Sequence, residues 1–195
     1  MKGKSIQKTD LVIIGGGIFG CAIAYYYSKN NPGKEVVLLE RNELNNAATS
    51  RAAALMTMVR SKRSYIPLTV ETFKVAKEME EELGETLDFK AVGMMHVAAS
   101  DAKVKDLEEL MEIAKEYNQE AYYITKEEAQ KKTPWLKVDE ALNIGFVPNE
   151  AYCDPYMLGT FFARCARKHG AKIRQGVEVL GLIHEGKDVK GVKTP

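Results

Sequence analysis

The sequence predicts an α/β fold, on three observations. The apolar, β-branched run DLVIIG (10–15) leads into the turn GGGIFG (15–20), and the run EVVLLE (35–40) follows within about 30 residues, the size of one βαβ unit. Amphipathic helices then recur at 67–83 and 102–118. The last stretch, from 171 onward, alternates in the manner of strands.

Each element has a local reason. DLVIIG suits a strand buried on both faces, FGCAIAYYYSK a helix of small and aromatic residues, and NNPGKE supplies the breakers that end that helix. EVVLLE is then a second buried strand, parallel to the first. In RNELNNAATSRAAALM, Thr49 or Ser50 is expected to cap a short helix beginning near Arg51. Within 67–83, Val70, Phe73, Ala76, Met79 and Leu83 fall at helical spacing, and the charges of TFKVAKEMEEELGE read as its solvated face.

LDFKAVGMMHVAAS (87–100) reads as extended with a bend at Gly93. Val104, Leu107, Leu110, Met111 and Ala114 make the next helix amphipathic, and AYYITKEEAQKKTPWL gives a short strand and a helix. Thr125 caps that helix, Glu128 completes a capping box and Pro134 ends it. ALNIGFVPNEAYCDP resumes extended structure, and a helix starts at Pro155 and runs to Gly170. EGKD marks a closing hairpin turn.

Composition narrows the function classes. Lys plus Arg number 28 against 27 Asp plus Glu, so a net charge of +1 gives no general attraction to nucleic acid or an anionic membrane. The apolar segment at 11–27 is interrupted by glycines and falls short of a membrane span, and MKGKSIQKTD lacks the apolar core and cleavage site of a signal peptide. A cytoplasmic protein without a transmembrane segment is expected. Cys21, Cys153 and Cys165 show neither C-x-x-C nor zinc spacing, so no disulfide framework and no metal site are expected.

Gly15, Gly17 and Gly20 form G-x-G-x-x-G between a strand and a helix. The first glycine makes the tight turn, the second lets backbone approach a pyrophosphate, and the third allows close helix-to-strand packing. The helix N-terminus offers unpaired N–H groups and the positive end of its dipole. Glu40, 20 residues after Gly20, ends the next strand where a carboxylate receives ribose hydroxyls. That carboxylate disfavours the 2′-phosphate of NADP; the motif leaves NAD and FAD open.

The blocks DLVIIGGGIFGCAIAYYYSK, EVVLLER, ATSRAAAL, VGMMHVAAS, CDPYMLGTFFARCARKHGAKIRQGVEVLGL and VKGVKT, in this order, resemble the FAD-dependent D-amino-acid-oxidase-like oxidoreductases. That group includes glycine oxidase, sarcosine oxidase with its β subunits, and dye-linked proline dehydrogenase. The resemblance covers essentially the whole chain. It implies a Rossmann-like FAD-binding lobe, 1–85 with 155–195, interleaved with part of an α+β antiparallel substrate lobe, 86–154.

It further implies that Gly15, Gly17 and Gly20, with Ile18 and Phe19 between them, lie at the FAD pyrophosphate, Glu40 at the adenosine ribose and Arg41 beside the adenine. Thr49 and Ser50, with Ala53 and Ala54, run past the pyrophosphate toward the isoalloxazine, and Val179 holds the adenine edge by its backbone. Read without the resemblance, Thr49 and Ser50 are helix caps and Val179 is a core strand residue.

The implied activity is oxidation of the C–N bond of an amino acid or N-methyl amine by hydride transfer to flavin. Three departures matter. Relatives often carry glycine where this chain has Ala52, Ala53 and Ala54; the region has no histidine to attach flavin, so FAD is expected to be non-covalent; and relatives continue for about as many residues again. The chain thus reads as the N-terminal half of such an enzyme or as a subunit completed by a partner chain. The competing readings are an NAD-dependent dehydrogenase and a non-catalytic FAD-binding fragment needing a partner.

No catalytic residue is assigned. His96 is a weak substrate-site candidate, His169 reads as a C-terminal helix cap, and His184 is isolated. Phe146 and Tyr152 read as packing residues, and G-x-S-x-G, a P-loop lysine and H-E-x-x-H are all absent.

Overall fold

A computed structural model describes residues 6–195. The reading of MKGKS, the start of the leading segment, lies outside the described residues. The chain runs β1 (Leu11–Ile14), α1 (Ile18–Asn30), β2 (Val36–Leu39), β3 (Leu55–Met56), α2 (Ile66–Leu83), β4 (Lys90–Ala91), β5 (Met94–Ala98) and α3 (Asp101–Glu116). It continues with β6 (Tyr122–Tyr123), α4 (Lys126–Lys132), β7 (Asn143–Val147), β8 (Ala151–Tyr152), α5 (Pro155–Lys168), β9 (Lys172–Arg174), β10 (Gly181–Glu185) and β11 (Asp188–Lys193). Two compact units share these elements: residues up to 53 with 78–87 and 154–195, and residues 54–77 with 88–153.

The first unit is built on a parallel sheet in the order β1-β2-β9, with Leu11 opposite Val36 and Val37 opposite Lys172. Four consecutive apolar residues suffice for β2 because it is the central strand and every one of them is buried. Helices α1 and α5 pack together on this sheet, and Tyr25, Phe161 and Cys165 are fully buried in the unit. Tyr25 meets Phe162 edge-on at 5.8 Å. Its hydroxyl takes a hydrogen bond from Lys29 at 2.7 Å, and Lys29 also pairs with Glu78 at 3.0 Å. Asp154 caps α5 by accepting from Tyr156 and Met157, Pro155 occupies the first turn, and Gly170 at φ +93 ends the helix.

The second unit carries two antiparallel sheets, β3-β8-β4 and β5-β7-β6. One apolar cluster joins Val59, Ile66, Ile113, Ala114 and Val147; another joins Ala129, Val138, Ala141 and Ile144. The Thr125–Glu128 capping box is present, with bonds of 3.2 and 2.8 Å. Gly93 bends the chain at φ +77, and the ring of Phe146 lies where a Cβ would stand.

One expected element is absent. Residues 44–51 form successive turns, and strand β3 follows where a short helix from Arg51 was expected. The reason is tertiary: the hydroxyl of Thr49 caps α1, 31 residues upstream, and no helix of its own.

Candidate functional site

The glycine turn of the first unit is shaped by backbone. Gly15 has φ +100 and donates its N–H to Leu39 O at 2.8 Å, which ties the end of β1 to β2. A Cβ at Gly20 would collide with Gly15 O, so helix and turn approach as closely as the third glycine of the motif allows. Gly16, between the first two motif glycines, is equally constrained: a Cβ there would meet the side chains of Leu44 and Glu40. Sequence reasoning passed over Gly16, although three consecutive glycines were the available signal.

Gly17 is the N-cap of α1, extended at φ −75 and ψ 178, with no side chain of its own to cap the helix. Thr49 Oγ1 accepts the Ile18 N–H at 3.0 Å instead. The first turn of α1 carries no acidic side chain, so nothing on the helix repels an anion at its positive end.

Glu40 stands at the foot of this turn. Its Oε2 accepts the Gly16 N–H at 2.7 Å and its Oε1 accepts the Asn42 N–H at 2.8 Å. The two backbone donors fix the carboxylate and leave it lone pairs for further donors. Arg174 O accepts the Glu40 N–H at 2.9 Å and Val177 donates to Glu40 O at 2.9 Å, so the segment after β9 lies along the same strand end. A small cavity of about 50 Å³ is lined by Gly17, Glu40, Asn42, Glu43, Asn45, Asn46 and Ala47.

Asn45 is a second residue that sequence reasoning missed. It sits at φ +59, only 2% exposed, and donates its N–H to Gly16 O at 2.9 Å. Both atoms of its side-chain amide lack partners, and the amide occupies the place where a Cβ of Gly159 would stand.

The structure therefore brings together Gly15, Gly17, Gly20, Glu40 and Thr49, with the Ile18 N–H held by Thr49. Phe19 belongs to the same turn, but its side chain is 84% exposed. Arg41, Ser50 and Ala53 are exposed, and the Ser50 hydroxyl bonds Ala47 O at 3.2 Å. Val179 is half-buried in the link between β9 and β10, outside a strand. Ala54 belongs to the second unit; at φ +56 it occupies a conformation that favours glycine.

In the second unit, His96 pairs in register with Gly145, and a Cβ on Gly145 would meet Leu107 and Met111 of α3. Directly paired residues share a face, so His96 sits on the α3 side of its sheet. Its Nε2 lies 3.5 Å from Oε2 of Glu150, a fully buried carboxylate whose Oε1 accepts the Val59 N–H at 3.1 Å. Glu150 escaped sequence reasoning because PNEAYCDP reads as a turn, where a glutamate is ordinarily solvated.

Burial pushes the Cys21 thiol up to about 11; for Cys165 burial and then the Glu82 carboxylate push it up to about 12. Neither is a nucleophile at neutral pH. Among the described residues no group of three or more His, Cys, Asp or Glu is placed to hold a metal, and no helix is long and apolar enough to cross a membrane.

The residues at the glycine turn fit a dinucleotide pyrophosphate: a bare-backbone cradle, a helix N-terminus whose first turn carries no acidic side chain and whose Ile18 N–H is held by Thr49, and a fixed carboxylate at the strand end. Comparison with known proteins identifies the family. A family model described as FAD dependent oxidoreductase matches residues 10–195. Human mitochondrial dimethylglycine dehydrogenase is 30% identical over 189 residues, 97% of this chain and 22% of that protein. Glycine oxidase of Bacillus subtilis is 26% identical over 193 residues, covering 95% of this chain and 50% of that protein. The crystal structure of L-proline dehydrogenase from P. horikoshii superposes with a TM-score of 0.88 at 29% identity, covering 97% of this chain and 50% of that one. The chain thus spans from about a fifth to about half of the length of these relatives. With that match over nearly its whole length, the chain belongs to the family of FAD-dependent oxidoreductases.

Proposed function

We propose that the first unit binds FAD non-covalently and that the chain is part of an enzyme oxidising the C–N bond of an amino acid or N-methyl amine. The observation that carries this reading is the Gly15–Gly20 cradle with Glu40 fixed beneath it by the N–H groups of Gly16 and Asn42. The relatives support the substrate class: their names specify dimethylglycine, glycine and L-proline.

Gly15, Gly17, Ile18, Phe19 and Gly20 line the pyrophosphate with bare backbone, and Glu40 takes the adenosine ribose hydroxyls. Arg41 and the backbone of Val179 flank the adenine. Thr49, Ser50, Ala53 and Ala54 continue toward the flavin ring. FAD, when bound, supplies the acceptor for a hydride from the nitrogen-bearing carbon of the substrate, whose imine product water then hydrolyses. The second unit contributes to the substrate side.

Titration of the purified chain with FAD tests this reading. Quenching of flavin fluorescence and a structured visible spectrum are expected, and acid precipitation is expected to release all the flavin. Stabilisation by NAD but not by FAD would overturn the reading, and flavin that stays with the acid pellet would overturn its non-covalent part.

A further inference from the structure

The second glycine of the motif is bare so that a pyrophosphate can come close to its backbone. At Gly17 that approach is already filled: the neighbouring atom at the place where a Cβ would stand is Thr49 Oγ1, 3.3 Å away. The same oxygen accepts the Ile18 N–H at 3.0 Å, one of the free donors that the positive end of α1 would offer an anion. One hydroxyl of the chain thus takes both the space and the donor.

Thr49 belongs to a strap, residues 44–51, that passes the glycine turn as successive turns without helix or strand. One end is pinned: Leu44 donates its N–H to Gln175 Oε1 at 2.7 Å, and its side chain fills the space beside Gly16. Asn45, at φ +59, donates its N–H to Gly16 O at 2.9 Å. Beyond Asn45, the strap's one hydrogen bond to the glycine turn among the described residues is that of Thr49 with Ile18. Its other bonds are internal, with the Ser50 N–H on Asn45 O at 3.1 Å and the Ala52 N–H on Thr49 O at 3.2 Å, and Asn46, Ala47, Ala48 and Ser50 are exposed. The buried Asn45 amide has no partner for either atom, so this arrangement leaves polar groups unsatisfied. The cavity of about 50 Å³ beside the turn is lined by Gly17 and Glu40 together with Asn45, Asn46 and Ala47 of the strap. That is room for about one water, whereas ligand pockets begin at about 300 Å³.

We infer that residues 46–51 form a gate on the glycine cradle, latched by the Thr49 hydroxyl on the Ile18 N–H, and that this latch opens to admit the pyrophosphate. Opening breaks one hydrogen bond between the strap and the turn and moves mainly exposed residues, with Asn45 as the pivot. It frees the Ile18 N–H and the approach to Gly17, while Leu44 and the bond from Asn45 to Gly16 stay in place. Losing a helix-capping hydroxyl corresponds to about a 5-fold change in an equilibrium, so the latch slows entry without forbidding it. Thr49 is in this sense a positioning residue, acting on access through Ile18. The gate rests on the proposed reading that the first unit binds FAD.

Rapid mixing of the full chain with FAD, followed by flavin fluorescence, tests the gate. The observed rate is expected to level off as FAD is raised, because opening precedes binding. Thr49→Val, which lacks the hydroxyl, is expected to lift that plateau about 5-fold, and Thr49→Ser, which keeps it, to restore the slow rate. Hydrogen exchange at the Ile18 amide without FAD is the second measurement, expected to be about 5-fold faster in Thr49→Val and unchanged in Thr49→Ser. A rate that climbs linearly with FAD, a plateau that Thr49→Val leaves where it was, or Ile18 exchange indifferent to that substitution would each overturn the gate while leaving FAD binding in place. Failure of all three chains to bind FAD would overturn both the gate and the reading beneath it.

Discussion

Each unit fixes one carboxylate with main-chain N–H groups, half-buried in the first and fully buried in the second. In the first, Glu40, Gly16 and Gly20 are locked by backbone: the carboxylate takes two main-chain N–H groups, and the glycines exist because neighbouring atoms leave no space for a side chain. In the second, Glu150 is held through contacts distant in sequence, with the Val59 N–H at 3.1 Å and His96 at 3.5 Å. A site made of backbone tolerates almost no change at its glycines, whereas a buried side-chain node depends on which hydrogen-bonding groups survive a substitution.

Gly20→Ala tests the first half of that contrast most severely. The new methyl meets Gly15 O, an atom of the backbone that cannot rotate away. A loss of about 3 kcal/mol in unfolding free energy is expected, together with loss of FAD binding. Chemical denaturation and flavin titration measure the two; a variant with unchanged midpoint and affinity would show that α1 is not seated on the turn as described.

For the second unit, Glu150→Ala and Glu150→Gln separate acceptor from charge. Alanine leaves the buried Val59 N–H without its acceptor and is expected to cost about 2 kcal/mol. Glutamine keeps an oxygen for Val59 and offers an N–H to His96, so its cost is expected to stay below about 1 kcal/mol. Equal losses in the two variants would mean that the carboxylate's second oxygen beside His96 matters more than the bond to Val59.

The same contrast governs what the residues alone reveal. The βαβ start, the capping box at Thr125 and the bend at Gly93 follow from residue types at short, fixed spacings, and so do Gly15, Gly17, Gly20 and Glu40 as a set. Residue type predicts a cap at Thr49 or Ser50 but not which helix Thr49 caps, because its donor, the Ile18 N–H, lies 31 residues away. Asn45, Gly159 and Glu150 were invisible for the same reason. Their environment is supplied by segments far along the chain, and nothing in a local window distinguishes a buried asparagine or glutamate from a solvated one.

Asn45 and Gly159 form a tertiary pair that can be tested directly. Gly159→Ala pushes a methyl into the Asn45 amide and is expected to cost about 1–2 kcal/mol despite the gain in helix propensity. Asn45→Ala removes the obstruction, so Gly159→Ala made in that background is expected to be neutral or stabilising. A double-mutant cycle with no coupling would contradict the packing of residue 45 against α5.

The smallest expected change is a gain. Ala54 holds φ +56, where an L side chain pays a penalty of about 1 kcal/mol. Ala54→Gly removes that penalty but adds backbone entropy to the unfolded chain, so the net stabilisation is expected to be about 0.5 kcal/mol. Denaturation midpoints resolve the sign. If the proposed path of residues 49–54 toward the flavin holds, the same substitution also opens space beside the cofactor and shifts the visible flavin spectrum. A stabilised variant with an unchanged spectrum would separate the backbone argument, which stands on the geometry of Ala54 alone, from the placement of that residue at the flavin.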